Sequence, residues 1–117
     1  GIFGYSASST FTACAFEGTL NSTTYGYLMG YGSSTATKLT DCLANTTTVN
    51  KFYRGYATTD ACLYKAGSIK KYYSGNFTNW VITTTATPLP QSLSWLATGG
   101  TKVSSINDII ALDYTQA

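Results

Sequence analysis

From Asp60 to Trp80 the residues Cys62, Ala66, Ile69, Tyr73, Phe77 and Trp80 recur at steps of three and four. That is the spacing of one helical face, and Lys65, Gly67, Ser68, Lys71, Ser74 and Asn79 fall on the other. Asp60 stands where an N-cap belongs. The spacing predicts a helix over 60–80, weakened by Gly67 and Gly75 at about 1 kcal/mol each relative to Ala. The rival is a hairpin at 69–85, with strands at 69–73 and 77–85 around Ser74-Gly75-Asn76. Its best support is the run Trp80-Val81-Ile82-Thr83-Thr84, the strongest strand former in the chain.

Two earlier segments carry the same periodicity. Ala13, Phe16, Leu20, Tyr27 and Tyr31 share a helical face that Thr10 can cap. Leu39, Cys42 and Leu43, then Val49, Phe52, Tyr53 and Tyr56, suggest one helix or two. Beyond Trp80, Pro88-Leu89-Pro90 cannot continue a helix and reads as an extended crossover. Gln91–Thr98 reads as a short helical turn stopped by Gly99-Gly100. Ser105-Ile106-Asn107-Asp108 has the form of a capping box opening a last helix, with Ile106, Ile109, Ile110 and Leu112 for burial. The expected fold is mainly α: a small helix-rich single domain, residues 1–117, with an extended Pro-Leu-Pro crossover. An α+β arrangement with a hairpin at 69–85 is the alternative. No fixed-period repeat is evident, and the echo between Thr40-Asp41-Cys42-Leu43 and Thr59-Asp60-Ala61-Cys62-Leu63 is short; it suggests two helices that start alike and face each other through their cysteines.

Function is constrained mainly by exclusion. Thr and Ser supply 33 of the 117 residues, charged residues only 12, and His is absent. The commonest general base and metal ligand is therefore missing. No nucleophile elbow, phosphate-cradling loop or metal cluster is present, so neither an enzyme nor a cofactor is expected. A net charge of +2, with only Lys70 and Lys71 adjacent among the cations, makes no stripe for nucleic acid. No apolar run approaches the roughly 20 residues of a membrane span. An opening Gly without a basic and apolar leader reads as a processed chain.

Cys14, Cys42 and Cys62 give an odd count, which outside the cell means one bridge and one leftover thiol among three possible pairings. The alternative is that all three are reduced core residues. Asn21, Asn45 and Asn76 each begin an N-glycosylation triplet, although a chain this rich in hydroxyls produces such triplets by chance as well. The Tyr-Gly run Tyr25–Gly32, with Tyr25, Tyr27 and Tyr31, offers amphipathic rings for an interface or for stacking on sugars, and Tyr72 and Trp95 are further candidates. Low charge weakens self-repulsion and favours association. These features together predict an extracellular or cell-surface structural glycoprotein that assembles with copies of itself into a filament, coat or layer, with glycans as further partners. A secreted module that binds carbohydrate or another small ligand through exposed Tyr and Trp is the alternative.

Overall fold

The computed structural model describes residues 2–21, 24, 26–47 and 51–117. It overturns the helix-rich expectation: strand takes 43% of the described residues and helix 13%. Strands β1 (Phe3–Ser6), β2 (Thr10–Thr12) and β3 (Ala15–Glu17) form one coil. Strands β4 (Met29–Gly32), β5 (Lys38–Thr40) and β6 (Leu43–Thr46) form a second, and β7 (Tyr53–Gly55), β8 (Thr58–Asp60) and β9 (Cys62–Ala66) a third. The coils stack in parallel, β1 on β4 on β7, β2 on β5 on β8, and β3 on β6 on β9, giving a three-faced β-solenoid.

Each coil turns from its second face to its third on a single residue with positive φ: Ala13 (54°), Asp41 (51°) and Ala61 (55°). Left-handed backbone costs a residue with a Cβ roughly 1–2 kcal/mol. The inter-coil hydrogen bonds continue unbroken through the corner, which offsets that cost. Ala13 N donates to Thr40 O at 2.9 Å, Asp41 N to Asp60 O at 3.0 Å, and Leu43 N to Cys14 O at 2.9 Å. Immediately after each corner comes a cysteine, so Cys14, Cys42 and Cys62 stand one above the other. Two glycines permit close approaches. A Cβ on Gly30 would lie 2.5 Å from the carbonyl oxygen of Gly4 in the coil below, and one on Gly75 (φ 158°) would collide with Asp60 and the Ala61 amide.

Side chains alternate along each strand, as pleating requires. The columns Phe11–Leu39–Thr59 and Phe16–Ala44–Tyr64 fill the interior, with Phe3, Tyr27, Leu28 and Phe52. Ala15–Leu43–Leu63 point outward on the third face. Leu43 and Leu63 are nevertheless buried, because the C-terminal third of the chain packs on that face in a second core with Phe77, Trp80, Leu89, Val103 and Ile109.

The expected helix over 60–80 is instead β9, a hairpin and a second strand. Strand β10 (Ile69–Tyr73) pairs antiparallel with β9 around Gly67-Ser68, and Gly67 takes the positive φ (62°) that such a two-residue loop needs at its first position. The apolar spacing reflects burial from successive elements, and Ile69 is 37% exposed. The alternative hairpin at 69–85 does not form either. Strand β11 (Trp80–Ile82) pairs with β12 (Pro88–Pro90) and β13 (Thr101–Lys102), while β10 pairs with β9 and β14 (Thr115–Gln116). The proposed helices over 10–31 and 39–56 are likewise strands of the coils, although Tyr25 and Val49 lie outside the described residues. Pro88-Leu89-Pro90 is extended, Gln91–Leu96 is a 3-10 helical turn, and helix α1 (Ile106–Ile110) opens on the expected capping box of Ser105 and Asp108.

Candidate functional site

The cysteine column is packing rather than chemistry. All three are free thiols, two of them buried. Cys62 Sγ donates to Leu39 O at 3.1 Å, and Cys42 Sγ contacts Thr40 O at 3.4 Å. The hydrogen bond to Cys42, together with burial, pushes the Cys62 thiol well above its ordinary value. Burial and the neighbouring Cys42 raise Cys14 as well. A thiol that resists ionisation is a poor nucleophile; the hydrogen bond with Cys62 holds Cys42 below its ordinary value, but that thiol is buried. Among the described residues no group of three His, Cys, Asp or Glu side chains could hold a metal ion.

The expected surface aromatics separate into two sets. Tyr27 is corrected outright: it is fully buried, stacked on Phe16 with ring centroids 5.7 Å apart, because its strand approach turns it into the coil. Tyr72 is half-buried, edge-on to Phe77. Tyr31 is on the surface, 6.0 Å from the ring of Tyr5 in the coil below and with the Arg54 guanidinium 5.4 Å from its centroid. Tyr5 and Tyr56 are exposed as well. Among the described residues Trp95 is the most exposed large hydrophobic side chain, at 76%. Tyr25 lies outside the described residues.

Trp95 stands on the 3-10 turn that also supplies Gln91 and Ser92 to a cleft of about 490 Å³. Residues three apart on such a turn share a face, which sets Trp95 beside Ser92. The opposite wall is the corner of the first two coils: Thr12, Ala13 and Asp41. Asp41 Oδ1 accepts from Trp80 Nε1 at 3.1 Å and Oδ2 from Asn79 Nδ2 at 3.2 Å. Burial pushes the Asp41 carboxyl above its ordinary value, those two bonds oppose the shift, and the charge of Asp60 adds to it. Asp60 is turned elsewhere, with Oδ1 accepting from Asn76 N at 3.1 Å. The cleft thus offers one carboxylate with amides and hydroxyls, a set suited to hydrogen-bonding a polar ligand. It does not offer the carboxylate pair of glycoside hydrolysis.

Of the triplet asparagines, Asn21 and Asn76 are exposed and Asn45 is half-buried in the middle of β6. Asn76 also caps a short turn through Thr78 N.

The first coil carries the most unusual surface. Strands β1, β2 and β3 each pair on one side only, so among the described residues three strand edges lie unpaired at one end of the stack. Phe3, Phe11 and Phe16 are half-buried there, and Phe3 and Phe11 stack 3.7 Å apart. Glu17 is the sole charge within these strands. Among the described residues no helix is long and apolar enough to cross a membrane. No protein-family model matches the chain, and neither a curated protein nor a solved structure matches it.

Proposed function

We propose that this chain is a structural module of the extracellular or cell-surface environment that assembles with copies of itself through its first coil. The observation that carries the reading is the set of three open edges, β1, β2 and β3, over a half-buried phenylalanine cluster. Edge strands that stay apart are ordinarily guarded by charge, proline or a covering segment. These have no proline and only Glu17 for charge. A net charge of +2 opposes association weakly. The occupant that matches three strand edges is the same edge of a second copy, related by a two-fold axis that pairs the edges and covers Phe3, Phe11 and Phe16. Glycans on exposed Asn21 and Asn76 fit the same setting, since both lie outside these strands.

Sedimentation velocity over a wide concentration range tests this. The native chain is expected to form dimers or larger species, and the double variant Thr10→Lys/Ala15→Lys, which adds charge at two exposed edge positions, to remain monomeric. A native chain that is monomeric at high concentration overturns the reading, and so does a variant that associates as well as the native chain.

The cleft beside Trp95 favours a second reading, a module that binds a neutral saccharide. An exposed indole next to a wall of hydroxyls and amides matches the alternation of apolar and polar faces on a sugar. Tryptophan fluorescence titrated with neutral oligosaccharides, repeated on Trp95→Ala, would show a saturable change lost in the variant; a flat response in the native chain removes this reading.

A further inference from the structure

A smaller cavity, about 170 Å³, lies between the third face and the turn at Thr83–Thr87. Three adjacent strands place Asn45, Lys65 and Lys70 in one row, Asn45 opposite Lys65 on β6 and β9 and Lys65 opposite Lys70 on β9 and β10. All three side chains line the cavity, with Thr85, Thr87 and Tyr114. No carboxylate is among the lining residues. The row continues to Glu17, but Asn45 separates that side chain from Lys65.

Like charges directly opposite across a strand pair are destabilising, so the Lys65–Lys70 pair needs a reason. Lys70 is held in place: Nζ donates to Leu112 O at 3.1 Å and lies 5.7 Å from the Tyr114 ring centroid. Lys65 and Asn45 make no side-chain hydrogen bond to any described residue. Nor does the hydroxyl of Tyr114, a residue only 5% exposed. Burial pushes the Tyr114 phenol up to about 12, so at neutral pH it keeps its proton and donates. The Tyr114 hydroxyl, an amide and two ammonium groups therefore line one small space that holds no carboxylate.

We propose that this cavity binds a tetrahedral oxyanion, a phosphate or sulfate group, between Lys65, Lys70 and the Tyr114 hydroxyl. The charge on the anion relieves the lysine pair, and charge-assisted bonds to its oxygens satisfy the donors. The volume accommodates one such group with its waters, and its polar rim admits an ester whose remaining part stays in solvent. This site is separate from the first coil and from the cleft beside Trp95, and does not depend on association.

Isothermal titration calorimetry at matched ionic strength, using sodium phosphate, sodium sulfate and glucose 6-sulfate against a chloride background, tests the site. Saturable binding of at least one probe is expected. It should weaken by roughly ten- to a hundredfold in Lys65→Gln and in Tyr114→Phe, the usual effect of removing a bond to a charged group. Binding of glucose 6-sulfate alone would identify the source as an ester on a carbohydrate; binding of the inorganic ions would identify the free anion. Retained thermal stability in both variants keeps a loss of binding distinct from a loss of fold. Absence of binding by all three probes overturns the proposal, as does equal affinity in the native chain and both variants.

Discussion

The two ends of the coil stack are built differently. At the third coil, Phe52 is 1% exposed and lies under Tyr64 and Tyr73, with ring centroids 5.8 and 5.3 Å away. Strand β10 covers the edge of β9, while β7 and β8 end their own sheets, and Gly75 brings the chain against the last corner. At the first coil, the corresponding rings Phe3, Phe11 and Phe16 are half-buried and all three edges are open. A stacked repeat buries its core only against neighbours, so a terminal coil needs a cap. The chain covers the third face of its last coil with β10 and aromatic residues, and among the described residues no strand covers any face of its first coil.

Truncation should expose the difference most strongly. Phe52→Ala is expected to cost about 3–5 kcal/mol, the range for a fully buried aromatic, and Phe11→Ala about half as much in dilute monomer. Urea unfolding of both variants checks this; equal losses would mean that the two ends are covered alike. Gly75→Ala comes next, at roughly 1–3 kcal/mol from overpacking against Asp60 and Ala61. The same experiment should find its effect confined to stability, with association through the first coil unchanged. Thiol labelling then reads the ends directly. Cys14 is half-buried while Cys42 and Cys62 are buried, so Cys14 should react about tenfold faster or more than the other two.

The smallest effect concerns two carboxylates with opposite pH behaviour. Bonds from the Ser104 amide, the Ser104 hydroxyl and the Ser105 amide hold Asp108 below its ordinary value. Its contribution is therefore present above the unfolded carboxylate value, about 3.9, and lost as pH falls through the lower folded one. Burial raises Asp41, so its contribution is present at low pH and lost as pH rises from the unfolded value through the folded one. Urea midpoints between about pH 2.5 and 7 should show Asp108→Asn flattening the acid-side loss and Asp41→Asn flattening the decline at higher pH. Matching slopes in both variants would contradict the assignment.

The C-terminal third was largely legible because its signals are local. Ser105 and Asp108 bond the backbone beside them, prolines fix their own φ, and Gly99 adopts positive φ at the end of its turn. The coils were not legible from apolar spacing. Strands of three to five residues are too short to show an alternation of two, and the left-handed corners reset it. The distance from Ala15 to Leu43 also exceeds that from Leu43 to Leu63, so no fixed period survives. The signal that was present is the corner itself: Thr12-Ala13-Cys14, Thr40-Asp41-Cys42 and Asp60-Ala61-Cys62 occupy equivalent places in the three coils. The short echo of two of these segments therefore marks stacked corners, not facing helices. For the candidate sites, exposed Trp95 and Tyr31 could be anticipated, since large amphipathic rings flanked by turn residues tend to the surface. Tyr27 could not, and neither could the lysine cavity, which needs strands distant in sequence to become neighbours.

The unequal coils give the one-residue corner a further significance. Because the corner fixes how the third face follows the second, any difference in coil length must be absorbed elsewhere, in the links from first to second face (7–9, 33–37 and 56–57) and in those from one coil to the next. Extra residues there can lengthen a loop without shifting a strand, whereas a single residue inserted at Ala13, Asp41 or Ala61 would throw the whole third face out of step with its neighbours. The corner thus keeps one length in all three coils, while the links between the other faces differ. Residues added to those links would leave the alignment of the coils intact.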